Sequence, residues 1–272
     1  MHQRGFARLG SARIAIIAIA GVLAACSEPP VAWSEIRSDR SFVGDALAPN
    51  GTLLSDSMAM LAARIPPPES SVCPGSLALS RAGHRVYAAW WRVRADSGAR
   101  LLAAHSDDEG RVWSAPAPVD TTDQSVSGCR RAPPAIAADS ASGYVHVAFA
   151  LLGREGPGLF YAHSMDAGAT FHAAVPIFYG DRLGHSSVAA DGDVVAVAFE
   201  DPNSRAPRIG LALSRTMGHI FEERLLPISD DNEIASRPLV AVRGRHLAVA
   251  WLRGDPSDDR PDLRAVRTGT LR

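Results

Sequence analysis

A short signature that recurs along the chain is the feature that most constrains its fold. The pattern Ser-x-Asp-x-Gly-x-x-aromatic occurs at residues 106–113 and 164–171, and at 214–221 with Thr in place of Asp. Ser and Asp oxygens accept backbone N–H groups, Gly adopts positive φ, and the aromatic side chain packs between sheets, which is the chemistry of a hairpin turn. We therefore expect structural, not catalytic, roles for the signature residues: Ser106, Asp108, Gly110, Trp113, Ser164, Asp166, Gly168, Phe171, Ser214, Gly218 and Phe221.

Apolar runs flank each signature in the same order, at a repeat of about 50 residues. Two apolar runs precede each signature and a third leads into it. In the first unit, a fourth run at 112–116 begins at the end of the signature. This order predicts a four-stranded meander in each unit. The runs ahead of the three signatures are 76–79, 84–91 and 101–105; 134–139, 143–149 and 158–163; and 187–190, 193–199 and 209–213.

A fourth unit begins near residue 237, but the chain stops before its outer strand. Residues 31–37 are similar to the outer strand of the other units, as a comparison with 112–116 shows. We predict that this N-terminal segment completes the fourth sheet, because the pairing would remove an unprotected sheet edge.

The signatures and the strands around them resemble the Asp-boxes, or BNR repeats, of sialidase-type β-propellers. The match covers roughly residues 76–267. It implies an all-β fold, a β-propeller of four-stranded antiparallel blades, for a domain that spans residues 31–272. Four units are legible, so residues 38–72 form either an irregular segment or a degenerate blade, and a count of four or five blades stays open.

The N-terminus has the layout of a signal peptide. Three arginines precede an apolar run over 14–22, which is too short for a membrane-spanning helix. The run ends in Leu23-Ala24-Ala25-Cys26, which resembles the lipobox of bacterial lipoproteins. This resemblance implies a signal peptide over 1–25, lipidation of Cys26, a tether over 26–30 and, because Ser27 follows the cysteine, an outer-membrane location on the periplasmic face or the cell surface. The alternative is an ordinary secretory signal with a chance cysteine.

Composition and cysteine content agree with an exported globular domain. Hydrophobic residues make up 46% and charged residues 21% of the chain, which suits a folded core. Lys+Arg total 28 against 29 for Asp+Glu, with no basic stripe, so we expect no nucleic-acid partner. In an oxidising compartment, Cys73 and Cys129 are candidates for a disulfide, and both precede the inner strand of consecutive units.

Candidate binding residues lie where the inner strands begin. Sialidases hold a substrate carboxylate with three arginines, the first in an Arg-Ile-Pro motif that is matched here by Arg64-Ile65-Pro66. The resemblance implies an anion clamp of Arg64, Arg131 and Arg237, against the alternative of solvated rim charges. His185 and Glu200 fall on the same predicted face.

The catalytic residues of a sialidase are not recognisable. Such an enzyme needs a Tyr nucleophile activated by Glu and a separate Asp acid/base. Three of the four tyrosines fall within predicted strands, which leaves Tyr179 in a loop, with Glu200 and Asp201 as candidate carboxylates. No catalytic residue is assigned. The scattered histidines and the cysteine spacing fit no metal motif, and we expect neither a metal nor a cofactor.

Three functions are compatible with these observations. The first is a membrane-anchored propeller that binds a glycan, an anionic ligand or a partner protein through the arginine-bearing face. The second is a sialidase-like exo-α-sialidase, which requires a Tyr–Glu pair beside clustered arginines. The third is a scaffold for an envelope assembly, which requires an exposed apolar patch instead.

Overall fold

All regular secondary structure in the described part of the chain is β-strand. The structure, a computed structural model, describes residues 28–39, 68–96, 98–201, 203, 206–231, 233–254 and 263–272. The predicted signal peptide, Cys26 and most of the segment 38–72 lie outside these residues. Within the described ranges, no helix has the length and apolar character needed to cross a membrane.

The described residues form seventeen strands, and all of their pairings are antiparallel. They are β1 (Val31–Trp33), β2 (Arg37–Asp39), β3 (Ala78–Ala82), β4 (Arg85–Val93), β5 (Ala99–Ser106), β6 (Ala117–Pro118), β7 (Ala135–Ala138), β8 (Val145–Gly153), β9 (Gly156–Ser164), β10 (Val175–Tyr179), β11 (Ser186–Asp191), β12 (Val194–Asp201), β13 (Arg208–Ser214), β14 (Glu223–Pro227), β15 (Ile234–Arg243), β16 (His246–Gly254) and β17 (Leu263–Leu271).

These strands form four sheets, which confirms the predicted propeller of antiparallel blades. Strands β3 to β6, β7 to β10 and β11 to β14 each form a four-stranded meander. The inner strands β3, β7, β11 and β15 lie side by side in chain order. The second strands of the blades are apolar on both faces, as in the buried run Val195–Phe199 of the third blade, because the neighbouring blades cover this blade on both sides.

The N-terminal segment supplies the outer strand of the fourth sheet, as predicted. Strand β1 pairs with the end of β17, with Val31 opposite Leu271 and Trp33 opposite Gly269, and β2 pairs with the beginning of β17. The outer strand therefore reaches Asp39, two residues beyond the predicted range. A Cβ on Gly269 would lie 2.6 Å from a Val31 methyl group and 2.8 Å from the Trp33 ring, so this close pairing depends on glycine.

The hydrophobic core is divided among the junctions between blades. Trp91 and Phe149 meet edge-to-face between the first two blades, with ring centroids 6.3 Å apart. Tyr161 and Phe199 belong to the junction of the second and third blades. Trp251 belongs to the junction of the third and fourth. Full burial of each such side chain contributes on the order of 2–3 kcal/mol, so the junctions hold the blades around the axis.

The three signatures form hairpins with the same hydrogen bonds. The Ser Oγ accepts the N–H of the Gly four residues later, at 2.8 Å for Ser106 and Ser164 and 3.1 Å for Ser214. Oδ1 of Asp108 and Asp166 accepts another N–H at 2.8 Å, and Thr216 Oγ1 does so at 2.9 Å in the third hairpin. Each Gly and the residue before it have positive φ. Thr therefore replaces Asp without loss of the turn.

Candidate functional site

A cavity of about 260 Å³ lies at the propeller axis, on the face where the inner strands begin. Gly75 and Pro133, which precede β3 and β7, form part of its wall. The third and fourth blades supply the other lining residues, so all four blades contribute to the cavity wall. The lining includes His185, Ser186, Arg237, Pro238, Trp251 and Arg264. We call this space the axial cavity.

Arg237 enters the axial cavity from an unusual backbone conformation. It lies in a β-bulge, because three steps along β15 from Ser236 to Leu239 are matched by only two steps along β16. Its φ is 50°, in the left-handed region that non-glycine residues seldom occupy, and Pro238 after it has no N–H to offer the sheet. Strain of this kind persists where the surroundings enforce it and is common at functional sites.

Glu200 is the group that enforces this conformation. Its Oε1 accepts the backbone N–H of Arg237 at 2.7 Å and lies 3.4 Å from His185 Nδ1. Burial alone would raise the pKa of Glu200, but the hydrogen bonds from His185 and from the Arg237 backbone outweigh it and hold the pKa below its usual value. A Cβ on Gly184 would approach Glu200 Oε2 to 1.6 Å, so only glycine leaves room for the carboxylate. Glu200 is thus a half-buried, charged positioning residue.

The chemistry of the axial cavity suits an anion. Arg237 and Arg264 line it together with His185, and none of the described lining residues carries a carboxylate. No hydrogen bond or ion pair engages the Arg237 guanidinium within the described ranges. Trp251 is buried and provides an apolar wall, while its indole N–H donates to Glu233 at 2.9 Å, away from solvent. The arrangement combines cationic groups with a mainly apolar wall.

Arg131 does not join this cavity. Its guanidinium stacks over Trp91, 4.3 Å from the ring centroid, pairs with buried Asp123, and donates to the Gly128 carbonyl at 2.9 Å. It is only 6% exposed, so its charge and donors are used within the fold. Arg64 lies outside the described residues, so its part in the predicted clamp stays a prediction. Arg264 is the arginine that does line the cavity beside Arg237, and no repeat position in the sequence marks it.

The predicted disulfide is present on the rim of this face. Cys73 and Cys129 are bonded, with Cα atoms 5.4 Å apart. The bond joins the segment before the first inner strand to the segment before the second. It fixes the connection that carries Arg131 and thereby one wall of the functional face.

Tyr179 is not positioned for catalysis at the axial cavity. It ends strand β10 instead of lying in a loop, and its hydroxyl donates to Glu155 at 2.8 Å, which raises the pKa of Tyr179. Asp201 is buried 3.5 Å from the Arg208 guanidinium. No tyrosine is found among the described residues that line the axial cavity, and Glu200 is bonded to backbone and His185.

A larger cavity, of about 450 Å³, lies over the opposite end of the fourth sheet. Its walls are the end of β15, the beginning of β16, the end of β17 and β1. Small and apolar side chains dominate there, and Arg243 and His246 are its ionisable groups. It gathers no strained or buried charged residue, so the axial cavity is the stronger candidate site.

Comparison with known proteins supports the fold. No family model matches this chain, and no curated protein matches it. A protein of unknown function from Dyadobacter fermentans DSM 18053 superposes with a TM-score of 0.51 at 16% identity, over 69% of this chain and 50% of that one. The Hadza microbial sialidase Hz136 superposes with a TM-score of 0.50 at 18% identity, over 72% of this chain and 46% of that one. The chain spans about half the length of these structures, and it has a sialidase-like propeller fold.

Proposed function

We propose that this protein is an exported binding module whose axial cavity takes the carboxylate of an acidic sugar. The observation that carries the proposal is the Arg237 bulge: half-buried Glu200 holds a strained backbone, and the guanidinium that this backbone presents has no partner among the described residues. Guanidinium–carboxylate pairing is strong and directional, and Arg264 adds a second positive charge in the same cavity. Leu239 and Leu252, which are half-buried and line the same cavity, offer apolar surface for a sugar ring.

Binding is favoured over hydrolysis by the positions of the tyrosines. A sialidase-type mechanism needs a tyrosine whose hydroxyl is activated by a glutamate beside the bound carboxylate. Tyr179 does bond to Glu155, yet neither lines the axial cavity. We expect no turnover of a fluorogenic sialoside by the full-length protein. Release of the fluorophore above the level of an Arg237→Gln variant would favour the hydrolase instead.

Calorimetric titration of the full-length protein tests the binding proposal. The probes are N-acetylneuraminate and D-glucuronate, each paired with its uncharged methyl ester. We expect the acids to bind at least about tenfold more tightly than the esters, which corresponds to about 1.4 kcal/mol. Arg237→Gln should abolish this preference, whereas Arg81→Gln, an arginine of β3 that does not line the axial cavity, should leave it unchanged. Equal affinity for acid and ester would refute the proposal.

Membrane attachment is a separate part of the proposal. It is supported by the lipobox-like sequence that ends at Cys26 and by the short tether that follows. Metabolic labelling with palmitate should mark the wild-type protein, and this protein should fractionate with membranes. Cys26→Ala should lose both the label and the membrane association. A labelled Cys26→Ala protein would rule out this anchor.

A further inference from the structure

A second cavity, of about 200 Å³, lies next to the axial cavity on the same face. Its lining includes Ser125, Ser127, Arg130, Leu151, Pro157 and Asp181. Two chain segments form walls of both cavities. Arg130 to Ala132 face the second cavity and Pro133 the axial one, while Leu183 faces the second and His185 the axial one. The two spaces are therefore neighbours that share walls.

The outer wall of the second cavity is held in place before any ligand arrives. Asp123 pairs with Arg131, and its Oδ1 accepts the N–H groups of Ser125 and Leu152, each at 3.1 Å. The disulfide at Cys129 anchors the same connection to the first blade. A preformed wall lowers the entropy cost of binding, because little of the chain has to become ordered.

The groups in this cavity suit a sugar unit that carries a negative charge. Arg130 is exposed, and no hydrogen bond or ion pair engages its guanidinium within the described ranges. The hydroxyls of Ser125 and Ser127 and the Asp181 carboxylate provide partners for sugar hydroxyls, and Leu151 and Pro157 provide an apolar surface. Arg131 adds no free charge, because it is paired with Asp123.

We infer that the two cavities bind adjacent units of one acidic oligosaccharide, with Arg237 on one unit and Arg130 on the next. This inference rests on the proposed function and adds a minimum ligand length of two units. Each cavity alone is smaller than the roughly 300–1,000 Å³ of common ligand sites, whereas together they reach that range. Joining two units makes the second contact intramolecular, so an oligomer should bind more tightly than its monomer.

A chain-length series tests this inference. The probes are oligogalacturonates and α2,8-linked N-acetylneuraminate oligomers, each of about one to four units, titrated into the full-length protein by calorimetry. In the series that binds, we expect the dimer to bind at least about tenfold more tightly than the monomer. Arg130→Gln should remove this gain and change the monomer affinity less than about twofold. Arg111→Gln, an exposed arginine of the first signature hairpin, serves as the matched control.

The outcomes separate this inference from the proposed function. Equal affinity for monomer and tetramer, or a gain that survives Arg130→Gln, would overturn the second subsite while monomer binding that depends on Arg237 still stood. Binding that depends on Arg130 but not on Arg237 would overturn the proposed role of the axial cavity. Absence of binding in both series would overturn both.

Discussion

The two ends of the propeller use polar residues in different ways. At the signature end, the same Ser and Asp or Thr groups recur in three blades and bond to the backbone of their own hairpins. At the axial-cavity end, Arg237, Glu200 and His185 each occur once and belong to different strands or connections. Polar residues that repeat with the blades therefore hold the fold, while those that break the repeat build the candidate site.

A cluster of histidine rings packs between the second and third blades, at the signature end of the propeller. His146 Nδ1 is 2.6 Å from the Tyr161 hydroxyl, and His163 lies with its ring centroid 4.6 Å from those of His172 and His219. Nε2 of both His146 and His163 is buried without a hydrogen-bond partner in the described structure. His146 and His163 are buried behind the hairpins, whereas the neighbouring His172 and His219 lie at the surface.

Removal of the disulfide should cause the largest loss of unfolding free energy. It also tests the division between the two ends, because the bond stabilises the fold and lies at the end that carries the candidate site. Cys73→Ser with Cys129→Ser opens a loop with a sequence separation of 56, which should lower the free energy of unfolding by about 4 kcal/mol in the chain-entropy account. Acidic-sugar affinity should fall too, because the connection that carries Arg131 is released. Urea unfolding and calorimetry measure the two effects. A loss under about 1 kcal/mol would show that hydrogen bonds alone hold this wall.

Substitution of two equivalent glycines should sharpen the comparison. Gly168 and Gly218 have φ of 86° and 84°, but a Cβ on Gly168 has its nearest neighbour at 3.8 Å, whereas one on Gly218 would lie 1.8 Å from the Tyr161 hydroxyl. Gly168→Ala should cost about 1 kcal/mol through backbone strain. Gly218→Ala should cost about 3 kcal/mol, because the buried hydroxyl is also bonded to His146.

Thermal and urea unfolding of both glycine variants measure these costs. Ligand affinity should stay unchanged in each, since neither residue lines the axial cavity. Adding Tyr161→Phe to Gly218→Ala should recover part of the loss by removing the clashing oxygen. Equal destabilisation by the two alanines would show that the hydroxyl contact carries no cost.

Acidification should weaken the signature end first. Burial lowers the pKa of His146 to about 3 and, together with neighbouring His219 and His172, lowers that of His163 to about 4. Below the unfolded value of about 6.5, the unfolded chain therefore binds more protons than the folded one. Stability should fall as the pH drops from 6.5 towards 4, by about 2 kcal/mol for each of the two rings between pH 7 and pH 5. Urea unfolding across this range checks the slope.

The matching control removes one of the two titrating rings. His163→Gln should roughly halve the dependence of unfolding free energy on pH between 7 and 5, because His146 still titrates, whatever the effect of the substitution on stability at pH 7. An unchanged slope in this variant would assign the acid sensitivity to other groups.

Loss of the Arg237 side chain should have the smallest free-energy effect and no effect on the fold. Arg237→Gln keeps the backbone N–H that Glu200 accepts, so the unfolding free energy should change by less than about 0.5 kcal/mol. Acidic-sugar affinity should fall about tenfold, or about 1.4 kcal/mol. Gly184→Ala, which displaces the Glu200 carboxylate, should lower affinity without removing any charged group. Unchanged affinity in both variants would separate the strained bulge from ligand binding.

Much of the fold could be predicted because its determinants are local and repeated. The signature at 164–171, for example, carries its own hydrogen-bond partners within eight residues, so a single window of sequence specifies the turn. The pairing of the N-terminal segment with the fourth sheet was also predicted, although the segment with which it was compared, 112–116, precedes the outer strand β6 and forms no strand itself. The site was harder to predict from the sequence. Arg131 and Arg237 occupy similar positions in the repeat, yet Arg131 is buried against Trp91 and Arg237 lines the axial cavity.

The sequence by itself determined the number of legible blades, their strand order, the hairpin turns and the cysteine pair, because short apolar runs and turn residues act over short distances. Only the tertiary structure decided which arginines share a cavity. Arg237 meets Arg264 because a one-residue bulge in β15 and the carboxylate of Glu200 from the neighbouring blade set its backbone. Such contacts join residues far apart in the chain, and no local pattern encodes which of them will meet.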